Sequence, residues 1–94
     1  LDLPYIFGKP KINEFLKLKY IIEESKFSYQ EIDSFYFFKS KRWDLKLRNN
    51  IILKLPNENL KDCLDSIFSI LNDKNFNDIK IIDARVKNQI IING

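Results

Sequence analysis

Ninety-four residues, 45% hydrophobic and 31% charged, fit one folded domain with a modest core and exclude an intrinsically disordered chain. A single cysteine excludes an intramolecular disulfide. Without histidine there are no Cys-His or Ser-His pairs, and two glycines and one cysteine cannot supply a Gly-rich phosphate loop or metal-ligand spacing. The net charge of +3 forms no patch, because the lysines are spread among Glu14, Glu23, Glu24, Asp62, Asp65 and Asp73 as on a solvated mixed surface. No stretch approaches the roughly 18 apolar residues of a membrane span, no signal-like region opens the chain, and methionine is absent. The chain is therefore expected to be a segment of something longer, with any anchor upstream.

The opening Leu1 to Gly8 is short and apolar, with Pro4 favouring extended backbone, and reads as an edge strand or docking arm. Pro10 suits a first helical turn, and Ile12, Phe15, Leu16, Leu18, Tyr20 and Ile22 are assigned to one broad helical arc through about Glu24. Ile32 to Lys39 is rich in β-formers and is expected to be a central strand covered on both sides. Ile32, Tyr36 and Phe38 would lie on one face, Phe35 and Phe37 on the other. Trp43 is expected in the core.

Trp43, Leu45 and Leu47 alternate with charged residues up to Asn49-Asn50, after which Ile51, Leu53 and Leu55 alternate with Ile52 and Lys54. A two-residue loop would set Leu45 against Lys54 and mix charge with core. A three-residue loop of Arg48, Asn49 and Asn50 pairs Leu47 with Ile51, Leu45 with Leu53 and Asp44 with Lys54. It needs Asn50 in the left-handed region, which asparagine tolerates.

After Pro56, with Asn57 or Asn59 as cap, Leu60, Leu64, Ile67, Phe68 and Leu71 trace one buried stripe of a second helix. Leu64 and Phe68 are taken as core positions and Cys63 as a small core flank. A last hairpin is expected from Ile79 to Val86 and back through Ile90, Ile91 and Ile92. In it Ile82, Ala84, Val86, Ile90 and Ile92 would face the helices, and Asp83, Arg85 and Ile91 would face away. Its final strand ends at Asn93 and Gly94 and leaves a sheet edge that is either open or covered by residues beyond Gly94.

The expected class is α+β, a mainly antiparallel sheet of about five strands with two helices packed on one face, forming a single domain over residues 1–94. Leu3-Pro4 with Gly8, Arg42-Trp43-Asp44-Leu45 running into Asn49-Asn50, Leu55-Pro56, and Asp83-Ala84-Arg85 resemble, in order and spacing, the β domain of the FtsQ/DivIB cell-division family. Asn50 stands where that family usually has glycine and Ala84 where it usually has leucine. The family's polypeptide-transport-associated (POTRA) domain and transmembrane helix are not in this stretch. The resemblance implies a non-enzymatic divisome scaffold without cofactors. It would sit on the periplasmic side of the bacterial inner membrane and hold FtsB and FtsL by strand addition at its last strand. Arg85, Val86, Gln89, Ile90, Ile91, Ile92 and Asn93 are then the expected partner-binding residues, with Arg85 pairing either with a partner carboxylate or with Asp83.

Two other classes compete. An enzyme finds no base, nucleophile or metal set, since the carboxylates Asp62, Asp65, Glu23 and Glu24 read as solvation. A nucleic-acid module is suggested by Phe35, Tyr36 and Phe37 beside Lys39, Lys41 and Arg42, and requires those rings to face solvent.

Overall fold

The computed structural model describes residues 4–94; the Leu1 to Leu3 part of the expected N-terminal arm lies outside them. In chain order the described elements are β1 (Tyr5–Phe7), α1 (Ile12–Glu24), β2 (Ile32–Phe37), β3 (Trp43–Leu47), β4 (Ile52–Lys54), α2 (Leu60–Leu71), β5 (Ile81–Asp83) and β6 (Ile91–Asn93).

The fold is α+β with six strands in the order β1-β2-β3-β4-β5-β6. The expected count of about five and the mainly antiparallel pattern both need correction, because β1 pairs with β2 in parallel and β4 with β5 in parallel. A helix lies between the strands of each parallel pair, and a helical crossover returns the chain in the direction it left. Strands β1 and β4 run the same way, and both crossovers step the same way across the sheet. The right-handed preference of such crossovers then puts α1 and α2 on one face. Leu18 and Ile22 of α1 and Leu64 and Ile67 of α2 accordingly share one core with Phe35, Trp43, Leu45, Leu53 and Ile82.

Helix α1 starts where the Glu14 carboxylate accepts the Lys11 amide at 2.9 Å, and ends where the Ser25 hydroxyl donates to the Ile22 carbonyl at 2.6 Å. Phe15, Leu18, Ile21 and Ile22 face the sheet, whereas Ile12, Leu16 and Tyr20 are exposed, so the broad arc assigned from sequence was too wide. At 3.6 residues per turn Leu16 points about 200° away from Leu18, and one face cannot hold both.

In α2 Leu64 and Ile67 are fully buried, Leu60 and Leu71 pack partly, and Phe68 sits at the rim of the stripe rather than in the core. Asn59, and not Asn57, stands at the N-cap position, with φ +54°, and its side chain makes no capping bond. The first intrahelical bond runs from the Cys63 amide to the Asn59 carbonyl at 3.0 Å. Asp65 ties the helix to the segment after α1 by accepting the Lys26 amide at 2.7 Å, and that bond, with Lys61 at 3.0 Å, lowers its pKa.

The β3–β4 hairpin has the three-residue-loop register: Leu45 opposite Leu53 and Asp44 opposite Lys54, with the Leu47 amide donating to the Ile51 carbonyl at 2.8 Å. Asn50 adopts φ +73° as that loop requires. Strand β2 departs from its expected phase. A bulge between Ile32 and Ser34 brings Ile32 onto the same core face as Phe35, and no second layer among the described residues covers the other side. On that open face Tyr36 is half-buried because the Phe7 ring stacks on it at 4.9 Å. Trp43 is core, 4.8 Å from the Phe37 ring centroid and edge-on to Phe35 at 6.0 Å. Beside it Arg42 pairs with Asp44, donates to the Leu55 carbonyl at 3.2 Å, and lies 4.8 Å over the Phe38 ring.

Candidate docking edge

Directly paired residues on neighbouring strands share a face, so the side away from the helices carries the row Phe7, Tyr36, Asp44, Lys54, Asp83 and Ile91. At the end of that row lies β6. It pairs with β5 through Ile81 with Asn93, Ile82 with Ile92 and Asp83 with Ile91, and it is the last strand of the sheet. Strand β1 is the other edge.

Which backbone groups of β6 face outward follows from the ladder. The Lys80 carbonyl accepts the Ile52 amide at 2.9 Å and the Ala84 amide donates to the Lys54 carbonyl at 2.8 Å, so Ile82 between them directs its backbone to β4, while the Lys80 amide, just before β5, crosses to the Asn93 carbonyl at 2.8 Å. Ile81 and Asp83 therefore turn to β6, where Asn93 and Ile91 face them. Alternation leaves the amide and carbonyl of Ile92 on the outer side. The outward donor is thus that of Ile92. Ile91 directs its backbone to β5 and presents its side chain, exposed by 41%, on the open face.

The expected long hairpin is shorter in its strands and wider in its loop. Strand β5 stops at Asp83 because the Asp83 carboxylate accepts the Arg85 amide at 3.1 Å and turns the chain. Asn88 at φ +60° and a bond from the Gln89 amide to the Val86 carbonyl at 3.1 Å complete the reversal. Val86 consequently does not face the helices as assigned but is 55% exposed; Ile82 and Ala84 are buried, and Ile90 and Ile92 are half-buried.

Arg85 grips Asp83 with two bonds, Nε to Oδ1 at 2.9 Å and Nη2 to Oδ2 at 2.7 Å, and this holds the Asp83 carboxyl down at about 2. The pairing with Asp83 considered for Arg85 is present in the domain by itself. Its Nη1 donates to no described residue, and the side chain is 47% exposed. Arg85, Val86, Gln89 and Ile90 also line a groove of about 650 Å³ whose far wall is the Pro56 to Asn59 turn and Cys63 of α2. Sequence reading placed these four residues beside the edge but missed the groove, which depends on a loop position that no periodicity encodes. Asn93 is exposed at the end of the strand.

Phe35, Tyr36 and Phe37 form no exposed platform: Phe35 is fully buried, Phe37 packs on Trp43, and Tyr36 lies under Phe7. Burial pushes the Cys63 thiol up to about 11, away from nucleophilic use. Among the described residues no three His, Cys, Asp or Glu side chains cluster to hold a metal ion, and no helix is long and apolar enough to cross a membrane. No family model and no curated protein matches the chain.

Proposed function

We propose that this domain is a protein-docking module that adds a partner strand to the outer edge of β6. The observation that carries the reading is the position of β6 as an edge strand whose Ile92 amide and carbonyl have no strand beside them among the described residues. A chain laid along that edge gains main-chain hydrogen bonds, while Ile91 on one face and the Arg85 to Ile90 groove on the other select its side chains. The resemblance to the FtsQ/DivIB β domain, carried in the sequence by Leu3-Pro4 with Gly8, Arg42-Trp43-Asp44-Leu45, Asn49-Asn50, Leu55-Pro56 and Asp83-Ala84-Arg85, supplies the partners. They are the C-terminal segments of FtsB and FtsL, on the periplasmic side of the inner membrane, during septum assembly. The full-length protein would be membrane-anchored, with this domain acting as a scaffold and not as an enzyme.

The test compares capture of those two segments by Ile92→Ala and Ile92→Pro. Both lose the side chain, but only proline removes the outward amide. The reading predicts capture at least about tenfold weaker for proline, a loss of about 1.4 kcal/mol. Equal capture by both variants, with both folded by circular dichroism, overturns it.

A further inference from the structure

Two features of α1 have no explanation within a single copy of the chain. Its outward face carries Ile12, Leu16 and Tyr20, exposed by 73%, 53% and 63%, and their i, i+4, i+8 spacing aligns them in one stripe. The charges at its ends run against the helix dipole: Lys9 and Lys11 precede the first turn, Glu23 and Glu24 close the last, and no basic residue stands in that last turn. Only Glu14 is placed with the dipole. A contiguous exposed apolar stripe rimmed by charge marks an interaction surface.

We propose that this face joins two copies of the chain, with α1 packed antiparallel against α1 about a twofold axis at Leu16. An isologous contact requires a surface complementary to itself, and residues equidistant from Leu16 meet across the axis. Within the helix Leu16 faces Leu16 and Ile12 faces Tyr20 of the second copy, and the Lys9 to Lys11 lead-in, which precedes the helix in extended backbone, comes to the end that carries Glu23 and Glu24. Each helix then brings its acidic last turn to the other's N-terminus and its basic lead-in to the other's C-terminus, which corrects both dipole mismatches at once. Lys9 has no ion pair among the described residues. Among the described residues Glu23 is held only by Lys19, at 3.4 Å in a half-exposed i, i+4 pair, a weak contact that it can exchange. A bilayer is the poorer occupant, because Glu23 and Glu24 at one end of the stripe would repel anionic lipid. The surface lies on the helix between β1 and β2, at the opposite end of the sheet from β6, and does not depend on the docking edge.

Sedimentation equilibrium at low ionic strength, from micromolar to millimolar protein, tests this. The wild-type chain is expected to dimerise. Leu16→Glu, on an exposed position, should weaken the dimer at least about tenfold with unchanged circular dichroism and melting temperature. Lys9→Glu and Glu23→Lys should each weaken it alone, and their equimolar mixture should restore it, since each mixed dimer then holds two opposite-charge pairs. A wild type that stays monomeric at millimolar concentration overturns the proposal, whether or not that monomer sediments with anionic vesicles. So does a dimer indifferent to Leu16→Glu, or a mixture that restores nothing.

Discussion

Ile92 sits opposite Ile82 in the β5–β6 ladder, and no strand among the described residues flanks its other side. The pairing fixes the half-buried Ile92 side chain beneath the helices and turns its backbone outward, so one residue belongs both to the core and to the open edge. Removing the side chain and removing the amide are therefore different experiments. Ile91→Pro, which strikes a residue facing β5, should loosen β6 itself, seen as a lower melting temperature than that of Ile92→Ala.

Trp43 is 5% exposed and in contact with the Phe15, Phe35 and Phe37 rings, which places it at the centre of the core. Trp43→Ala should destabilise the domain by about 3–5 kcal/mol in urea unfolding. Partner capture should fall only in proportion to the unfolded fraction.

Asn50 holds φ +73° in the β3–β4 turn. Asn50→Gly should keep or raise stability, by up to about 1 kcal/mol, because glycine takes that conformation without Cβ strain. Asn50→Val should lower it by about 1–2 kcal/mol. Thermal melts of the two variants should move in these directions.

This hairpin was legible in the sequence because charged and apolar residues alternate strictly from Arg42 to Arg48 and Lys54 stands between Leu53 and Leu55 on the other arm, and only one register keeps Leu45 with Leu53 and Asp44 with Lys54. The stripe of α2 was legible for the same reason at helical spacing, although Phe68 at its end reaches the rim. The face of α1 was not, because Ile12, Leu16 and Tyr20 are as apolar as the true core residues and composition does not say which side the sheet lies on. The parallel pairs were missed because β1, β4 and β5 are only three residues each, too short to show direction by pattern. At the docking edge, β6 as the last strand followed from chain order. The exposure of Val86 and the groove beside it followed from the Asp83 side chain ending β5 early, a local bond that periodicity does not register, and the outward amide of Ile92 from the β5–β6 register, which alternation on two short strands does not set.

Asp83 links that turn to pH. Its carboxyl lies at about 2 in the folded chain, chiefly through the Arg85 hydrogen bonds, below its ordinary value of 3.8. A lowered folded pKa contributes stability that is complete above pH 3.8 and is lost as pH falls towards 2. With Arg85 half-exposed and screened, the contribution is on the order of 1 kcal/mol. Asp83→Asn should lower wild-type stability by that amount at neutral pH and flatten the acid limb of the melting curve. Identical acid limbs for the two proteins would show that the pair does not stabilise the fold.

Cys63 should behave as a core residue. With its thiol pushed up to about 11 by burial, thiolate reagents at neutral pH should modify it far more slowly than they modify a free cysteine. In denaturant the two rates should converge.

The account's central claim is that the backbone of β6 accepts another chain, and amide hydrogen exchange at Ile92 measures it most directly. In the free domain this amide should exchange rapidly while that of Ile82 is protected within the sheet. Saturation with the C-terminal segments of FtsB and FtsL should slow Ile92 at least about tenfold. Segments that bind while Ile92 exchanges as fast as in the free domain would contradict the claim.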